Sequence, residues 1–435
     1  MKRRHFLATT PALFTLPVIP PHLRPAAQRV ALIGCGWYGK SDLFRLLQVA
    51  EVELVGLCDV DRRMLDEADE LIRQRHPAAR PRLFTNHRDM LRETRPELVL
   101  IATPDHWHAL QAIDAVEAGA HLYLQKPIGV DVRECEAVLD AARKYKRVVQ
   151  VGMQRRSTPH LIEAKKEIVD TGLLGEIGHV GICCYYHMRD TAQREIEEVP
   201  AFFDYDRWTG PAPLLPYRGL PHRRWRAFQE YGNGIVGDMC VHMLDMTRWM
   251  LGLGWPTEIS SLGGIYVQTE ADATTTDTQT VTFQYPKLSV VWQHRSWGEA
   301  ADEDFPWAMT LYGSKGTLEA DPYKYDFTPR KGETRRVKAV YEREKFPEDL
   351  EEKDIELHAA PATRAHMIDW LTAIESGSTP VSDIKAGYCS TVSCILGNLA
   401  LEAGRPLRYD PATRSLASGE EGLLARAYRA PYVHP

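Results

Sequence analysis

The sequence predicts an α/β protein, with a doubly wound parallel sheet in its first third and a second α/β domain built on a mostly antiparallel sheet. Three observations carry this. Short apolar runs alternate with amphipathic stretches from residue 29 onward, a glycine-rich turn joins the first run to the first amphipathic stretch, and the texture changes after Gly152. A chain of 435 residues is too long for one ordinary core, so two domains are expected, residues 28–152 and 153–435.

The segment before them, "MKRRHFLATTPALFTLPVIPPHLRPAAQ", has basic residues, then an apolar run, then prolines and alanines. That is the order of an export signal, and Arg3 and Arg4 followed by Phe6 and Leu7 resemble the twin-arginine type. Residues 1–27 are therefore expected to direct the protein to the periplasm. The alternative is a basic tail on a cytoplasmic protein. The apolar run is too short for a comfortable membrane span.

In the first domain the strands are "RVALIG", "VELVGLCD", "ELVLIA", "AHLYLQ" and "RVVQVG", each a short apolar run bounded by Gly, Asp or Pro. Helical stretches such as "DHWHALQAIDAVEAG" lie between them, and such alternation gives a parallel sheet covered on both faces. The first strand runs into "GCGWYG", with Gly34, Gly36 and Gly39 in G-x-G-x-x-G spacing around Trp37 and Tyr38. A pyrophosphate needs this tight turn, close backbone approach and free helix N-terminus. Asp59 ends the second strand, where a carboxylate accepts hydrogen bonds from ribose hydroxyls and repels a 2'-phosphate. The motif thus predicts a Rossmann domain that takes NAD rather than NADP, although Arg62 and Arg63 stand near enough to meet a phosphate.

Ligands bind off the carboxyl ends of parallel strands. Thr103, Pro104 and His108 of "ATPDHWH" and Gln125 and Lys126 of "LQKP" are expected there. Pro127 removes a backbone donor and fixes the turn that aims Lys126 at the crevice.

After Gly152 a helix over 157–172 precedes strand-like runs, among them "IGHVGICCYYHMR", "DTQTVTFQY", "LSVVWQHRSW", "WAMTLYG" and "GTLEAD". Alternation within them predicts a largely antiparallel sheet. In "GNGIVGDMCVHMLDMTRWML" a helix starting near Asp238 would put Asp238, His242 and Asp245 on one face. A histidine flanked by carboxylates is held in one tautomer and strengthened as a base. The plain alternative makes Asp238 an N-cap and His242 a core histidine. A metal set of His187, Asp238, His242 and Asp245 is disfavoured, because the same spacing has a metal-free use.

The loop "FFDYDRWTGPAPLLPYRGLPHRRWRAFQEYGN" is dense in aromatic rings and arginines, which suit the faces and hydroxyls of a sugar. Trp208, Arg224, Trp225 and Arg226 are candidates for substrate contact, with Arg155, Arg156, Tyr185, Tyr186 and His187 on the opposite wall.

Together the glycine loop with Asp59, "TPDHWH" and "QKP" resemble the glucose-fructose oxidoreductase, inositol dehydrogenase and rhizopine-catabolism (Gfo/Idh/MocA) family. The resemblance covers residues 29 to about 410. It implies a Rossmann domain followed by an α/β domain with a large open sheet, one face of which carries substrate and the other a subunit contact. A homo-oligomer through that sheet is therefore expected. Lys126 matches the family's catalytic lysine, and Asp238 and His242 match an Asp and a His that its dehydrogenases place opposite it. The usual tripeptide is Glu-Lys-Pro, and here Gln125 replaces the Glu.

The expected activity is NAD-dependent oxidation of a ring hydroxyl of a sugar, glycoside or cyclitol, or the reverse reduction. An NAD-dependent glycosidase, known in the same family, is the second reading; a non-catalytic sugar-binding protein with structural NAD is the third. Net charge −6 without a basic block argues against nucleic acid as a partner. Eight cysteines without a CxxC pair read as small core residues.

Overall fold

A computed structural model describes residues 27–186, 189–219, 222–350 and 357–435. The first domain runs β1 (Gln28–Ile33), α1 (Trp37–Val49), β2 (Val52–Cys58), α2 (Arg62–Arg75), β3 (Arg82–Phe84), α3 (His87–Thr94), β4 (Leu98–Ile101), α4 (His108–Glu117), β5 (His121–Leu124), α5 (Val132–Lys144) and β6 (Val149–Val151). The strand order is β3-β2-β1-β4-β5-β6, and all pairings are parallel. This is the doubly wound order whose topological switch lies between β1 and β4. The five expected strands are present; the sixth, β3, has only three residues, none fully buried, and so left no apolar run to read.

The chain continues through α6 (Pro159–Ala164), β7 (Ile177–Cys184), α7 (Tyr205–Thr209), α8 (Val241–Leu251), β8 (Glu258–Gly264), β9 (Thr278–Gln284), β10 (Ser289–Arg295), β11 (Trp307–Gly313), β12 (Gly316–Ala320), β13 (Lys324–Pro329), β14 (Arg335–Lys338), α9 (Ala360–Ser376), α10 (Ile384–Glu402), β15 (Tyr409–Asp410) and β16 (Ser415–Leu416). Strands β7 to β14 form an eight-stranded sheet in the order β14-β13-β12-β11-β7-β10-β9-β8. Within it only β7 and β10 run parallel.

Two helices differ from expectation. The helix foreseen over 157–172 is α6 followed by a π-helical turn at Lys165–Val169. The helix foreseen from Asp238 begins earlier, since a π-helical turn at Val236–Cys240 runs directly into α8. Asp238 therefore lies inside this turn and is not an N-cap.

The C-terminal helices pack back on both domains. Met367 and Trp370 of α9 are fully buried in one core with Leu32, Leu43 and Tyr123 of the first domain. Helix α10 lies between the domains: a Cβ on Gly387 would come within 2.6 Å of Val151, and one on Gly397 within 2.9 Å of Val281. This packing fixes the crevice that holds the site. Cysteines are free, seven of the eight buried. No helix among the described residues is long and apolar enough to cross a membrane.

Candidate active site

A cleft opens at the carboxyl ends of β1 and β4 and continues between the domains. Its two halves share Trp37, Tyr38, Ala102, Thr103 and Arg226.

The first half is lined by Gly34, Gly36, Trp37, Tyr38, Asp59, Thr103 and Pro104, as their motifs imply. Gly34 has φ +92°, and a Cβ there would come within 2.7 Å of the Ala102 and Thr103 backbone. On Gly39 a Cβ would meet the Gly34 carbonyl at 1.9 Å, whereas Gly36 faces open space. Glycines are thus required at two positions for packing and leave backbone exposed at the third. Helix α1 starts at Gly36 with no side-chain cap, so its N-terminal N–H groups remain available to an anion. Asp59 accepts from the backbone N–H of Cys35 (2.7 Å) and of Asp61 (2.9 Å). Burial pushes its carboxyl up to about 6. Each carboxylate oxygen keeps a further acceptor site for a ribose hydroxyl. Arg63 turns away, bonded to Asp61 (3.0 Å) and lying 3.6 Å over the Phe202 ring. These residues fit NAD: an uncapped helix end for pyrophosphate, and an acid for ribose whose neighbouring Arg63 is engaged by Asp61.

The second half gathers Lys126, Asp105, His108, Arg155, Tyr186, Arg226, Asp238, His242, Trp307, Tyr323 and His358. Lys126 Nζ donates to Asp238 Oδ1 (2.5 Å) and to its carbonyl oxygen (2.7 Å). Arg226 Nε pairs with the other carboxylate oxygen at 3.1 Å and stacks 4.2 Å over Trp225. Burial alone would raise the Asp238 carboxyl; Lys126 and Arg226 overcome it and hold it down at about 2. Asp238 is thus the anion of a two-cation cluster. An ammonium has three donors, and two of those on Lys126 are used, so one is left for a ligand in the cavity.

His242 departs from the expected arrangement. It is buried, its Nδ1 has no hydrogen-bond partner among the described residues, and its ring packs edge-on against Trp307 at 5.6 Å. Burial, then Lys126 and Arg155, push its pKa well below the usual value. Neither Asp238 nor Asp245 bonds to it. Asp245 instead receives Arg156 through both carboxylate oxygens (2.7 Å each) and Ser390 (2.7 Å). Arg156, expected on the substrate wall, is spent on that buried pair and does not line the cavity. Asp238, in the π-helical turn, lines the cleft, whereas Asp245, seven positions on in α8, is bonded to Ser390 of α10.

Other expected contacts distribute as follows. Arg155 and Tyr186 line the cavity, with Arg155 5.1 Å from the Trp307 ring. Burial and Tyr323 push the Tyr186 phenol up. Tyr185 lies under Arg295 at 4.6 Å. Trp208 and Trp225 line the first half of the cleft rather than this one, because Trp208 is fixed in an aromatic cluster with Tyr205 and Tyr231. Arg224 is exposed and bonds Gly219 O. His187 lies outside the described residues.

Two positions from the motifs act through their neighbours. His108 contacts Pro127 O (2.6 Å) through Nδ1 and Thr103 O (2.8 Å) through Nε2, tying the lysine loop to the "TPDHWH" loop. Burial lowers it to about 4, so the ring is neutral and only one of these contacts is a hydrogen bond. Gln125 donates to Asp42 Oδ2 at 2.7 Å, and burial raises Asp42 to about 7. A buried carboxyl from α1 thus fixes the amide that stands in the tripeptide's first place.

Asp105, Trp307, Tyr323 and His358 were not singled out from sequence. Asp105 stands inside "TPDHWH", and burial pushes its carboxyl well up, against the pull of Arg226 and Lys126. Its place in a loop after an apolar strand was the available signal. For the other three, no local pattern points to the site.

A doubly wound sheet with a nucleotide-fitting switch point, opening onto a charged cavity in a second domain, defines a two-domain dinucleotide-binding protein. The chain belongs to the Gfo/Idh/MocA family. The model of that oxidoreductase family's NAD-binding Rossmann fold matches residues 28–153, and a model of the family's C-terminal domain matches residues 195–319. The alpha-N-acetylgalactosaminidase of Shewanella oneidensis is 31% identical over 231 residues, which are 52% of this chain and 48% of that protein. The chain thus spans about half the length of the curated relatives it matches. Among solved structures, the aldose-aldose oxidoreductase of Caulobacter crescentus superposes with TM-score 0.65 at 17% identity, covering 88% of this chain and 99% of that one. An oxidoreductase of Agrobacterium radiobacter solved with NAD+, L-tartaric acid and magnesium gives TM-score 0.65 at 15% identity, covering 88% and 98%.

Proposed function

We propose that the protein is an NAD-dependent oxidoreductase acting on a ring hydroxyl, or the matching ketone, of a sugar, glycoside or cyclitol. The observation that carries this is the Lys126–Asp238–Arg226 cluster beside a neutral His242 in one cavity next to the nucleotide half of the cleft. Bound NAD supplies the hydride acceptor. Lys126 directs its remaining N–H at the reacting oxygen and stabilises alkoxide character as it develops. His242, neutral and with basic nitrogen available, takes the hydroxyl proton. Asp238 offsets part of the charge of Lys126 and Arg226 and holds both in place.

A second reading is an NAD-dependent glycosidase, and the name of the Shewanella relative favours it. It needs another base for the C–H next to the oxidised carbon, and Tyr186 with its raised pKa fills that role poorly at neutral pH. One experiment separates the two. Purified protein is incubated with NAD and a panel of sugars and aryl glycosides, and NADH absorbance and aglycone release are followed together. Net NADH that depends on the sugar supports the dehydrogenase, aglycone release without net NADH replaces it with the glycosidase, and neither, with NAD and sugar both bound, leaves the binding protein.

Residues 1–27 we assign to twin-arginine-type export into the periplasm; residues 1–26 lie outside the described residues. Cell fractionation tests this, with Arg3→Lys and Arg4→Lys together expected to retain the protein in the cytoplasm. Assembly through the outer face of the eight-stranded sheet is proposed likewise, and light scattering of the purified protein reads it.

A further inference from the structure

The segment Arg426–His434 follows the last strand and returns to the nucleotide half of the cleft. Its anchors come from both domains. The Arg426 backbone N–H donates to Asp131 Oδ2 (2.9 Å), and its guanidinium to Asn233 Oδ1 (2.8 Å) and Gln229 O (2.6 Å). Tyr428 donates to Glu134 Oε1 at 2.6 Å. Arg429 holds Asp206 Oδ1 (2.6 Å) and Gly210 O (3.1 Å), and its backbone N–H holds Pro211 O (2.8 Å). Beyond it, His434 Nε2 lies 2.8 Å from Asp131 Oδ2.

Tyr432 sits between the anchors at 429 and 434. It lines the same half of the cleft as Asp59 and Gly36, and its ring packs edge-on against Trp107, another lining residue, at 5.5 Å. A free surface segment would not need so many bonds to two domains. A segment that must hold an aromatic ring over a ligand would.

We propose that this segment completes the NAD site: Tyr432 is a cofactor-binding residue that closes the adenosine end, and the anchors at Arg429 and His434 slow cofactor release. A flat, half-buried aromatic ring with a polar tip suits an adenosine, because every base has a face that can stack on it. The role concerns retention of the cofactor and rests on NAD binding alone, whichever sugar chemistry follows. A cofactor held in this way can be reduced and reoxidised in place.

The test is the rate of NAD release from the full-length protein, followed by tryptophan fluorescence after dilution into excess competing nucleotide, together with NAD content after gel filtration. Tyr432→Ala is expected to release NAD about tenfold faster and to lose most of its NAD on the column, while Tyr432→Phe behaves as wild type. Asp206→Asn, which loosens the Arg429 anchor without touching the cavity, is expected to speed release by a smaller factor. Wild-type release rates in both Tyr432→Ala and Asp206→Asn, with normal NAD uptake, overturn the role of the segment. Failure of the wild-type protein to take up NAD overturns this role and NAD binding together.

Discussion

The two halves of the cleft are built from different materials. In the nucleotide half the groups that would recognise the cofactor's polar parts are set by local backbone: a glycine turn, an uncapped helix end and Asp59, which accepts from main-chain N–H groups. The reacting half is mostly side chains, brought from the lysine loop, the "TPDHWH" loop, the π-helical turn, the loop before it, and the strands and turns of the second sheet. Backbone recognition depends on local geometry that a short motif specifies. A side-chain cluster depends on how distant elements pack, and its electrostatics belong to the assembled group.

The sharpest way to separate the halves is Lys126→Met. Asp238 keeps Arg226 as a partner, so the fold is expected to survive. Turnover should fall by about 10³-fold, the scale set by removing one preorganised donor, while NAD uptake stays near wild type. NADH formation with the best sugar and NAD titration on the same preparation read both. Comparable loss of NAD binding would show that the two halves are not separable.

The next comparison sets Asp245 against Asp238. Asp245→Asn leaves the buried Arg156 without its charge partner, and breaking such a pair costs about 3–5 kcal/mol. Thermal unfolding should show a large loss of stability with little change in KM. An effect on KM at unchanged stability would return Arg156 to the substrate wall where its sequence position suggested it.

This pair also shows how far the sequence could be read. Asp238, His242 and Asp245 were legible as one helical face because their spacing is four and three. The structure gives them three separate environments: a two-cation cluster, a neutral pocket against Trp307, and a structural ion pair. Spacing locates residues on an element but says nothing of which arginine arrives opposite. The Rossmann strands were legible because each is an apolar run, and β3 was not because it buries nothing fully. Gln125 reads as a lost charge until Asp42, 83 positions away in sequence, is seen against it. Tyr432 lay outside every motif, since only the return of the chain brings it to the half of the cleft that Asp59 lines.

The smallest expected effect tests the nucleotide half through pH. The Asp59 carboxyl is raised to about 6 by burial, so in the free protein it carries a proton through the mildly acidic range. A carboxyl whose folded pKa is raised favours the folded state at low pH. That contribution fades as pH climbs from about 4, its unfolded value, to about 6. NAD binding should run the other way, because the ionised form accepts the ribose hydroxyls better and Asp59 must lose its proton to do so. NAD affinity is therefore expected to rise several-fold between pH 5 and 7, a range chosen as about one unit either side of that value, and to level off above it. In Asp59→Asn this step should vanish, with NAD binding weakened about tenfold, the lower end of what a charged hydrogen bond contributes. Calorimetric titration of both proteins across that range reads it. A step that persists in Asp59→Asn would assign the titration to another group, with Asp42 at about 7 the next to replace.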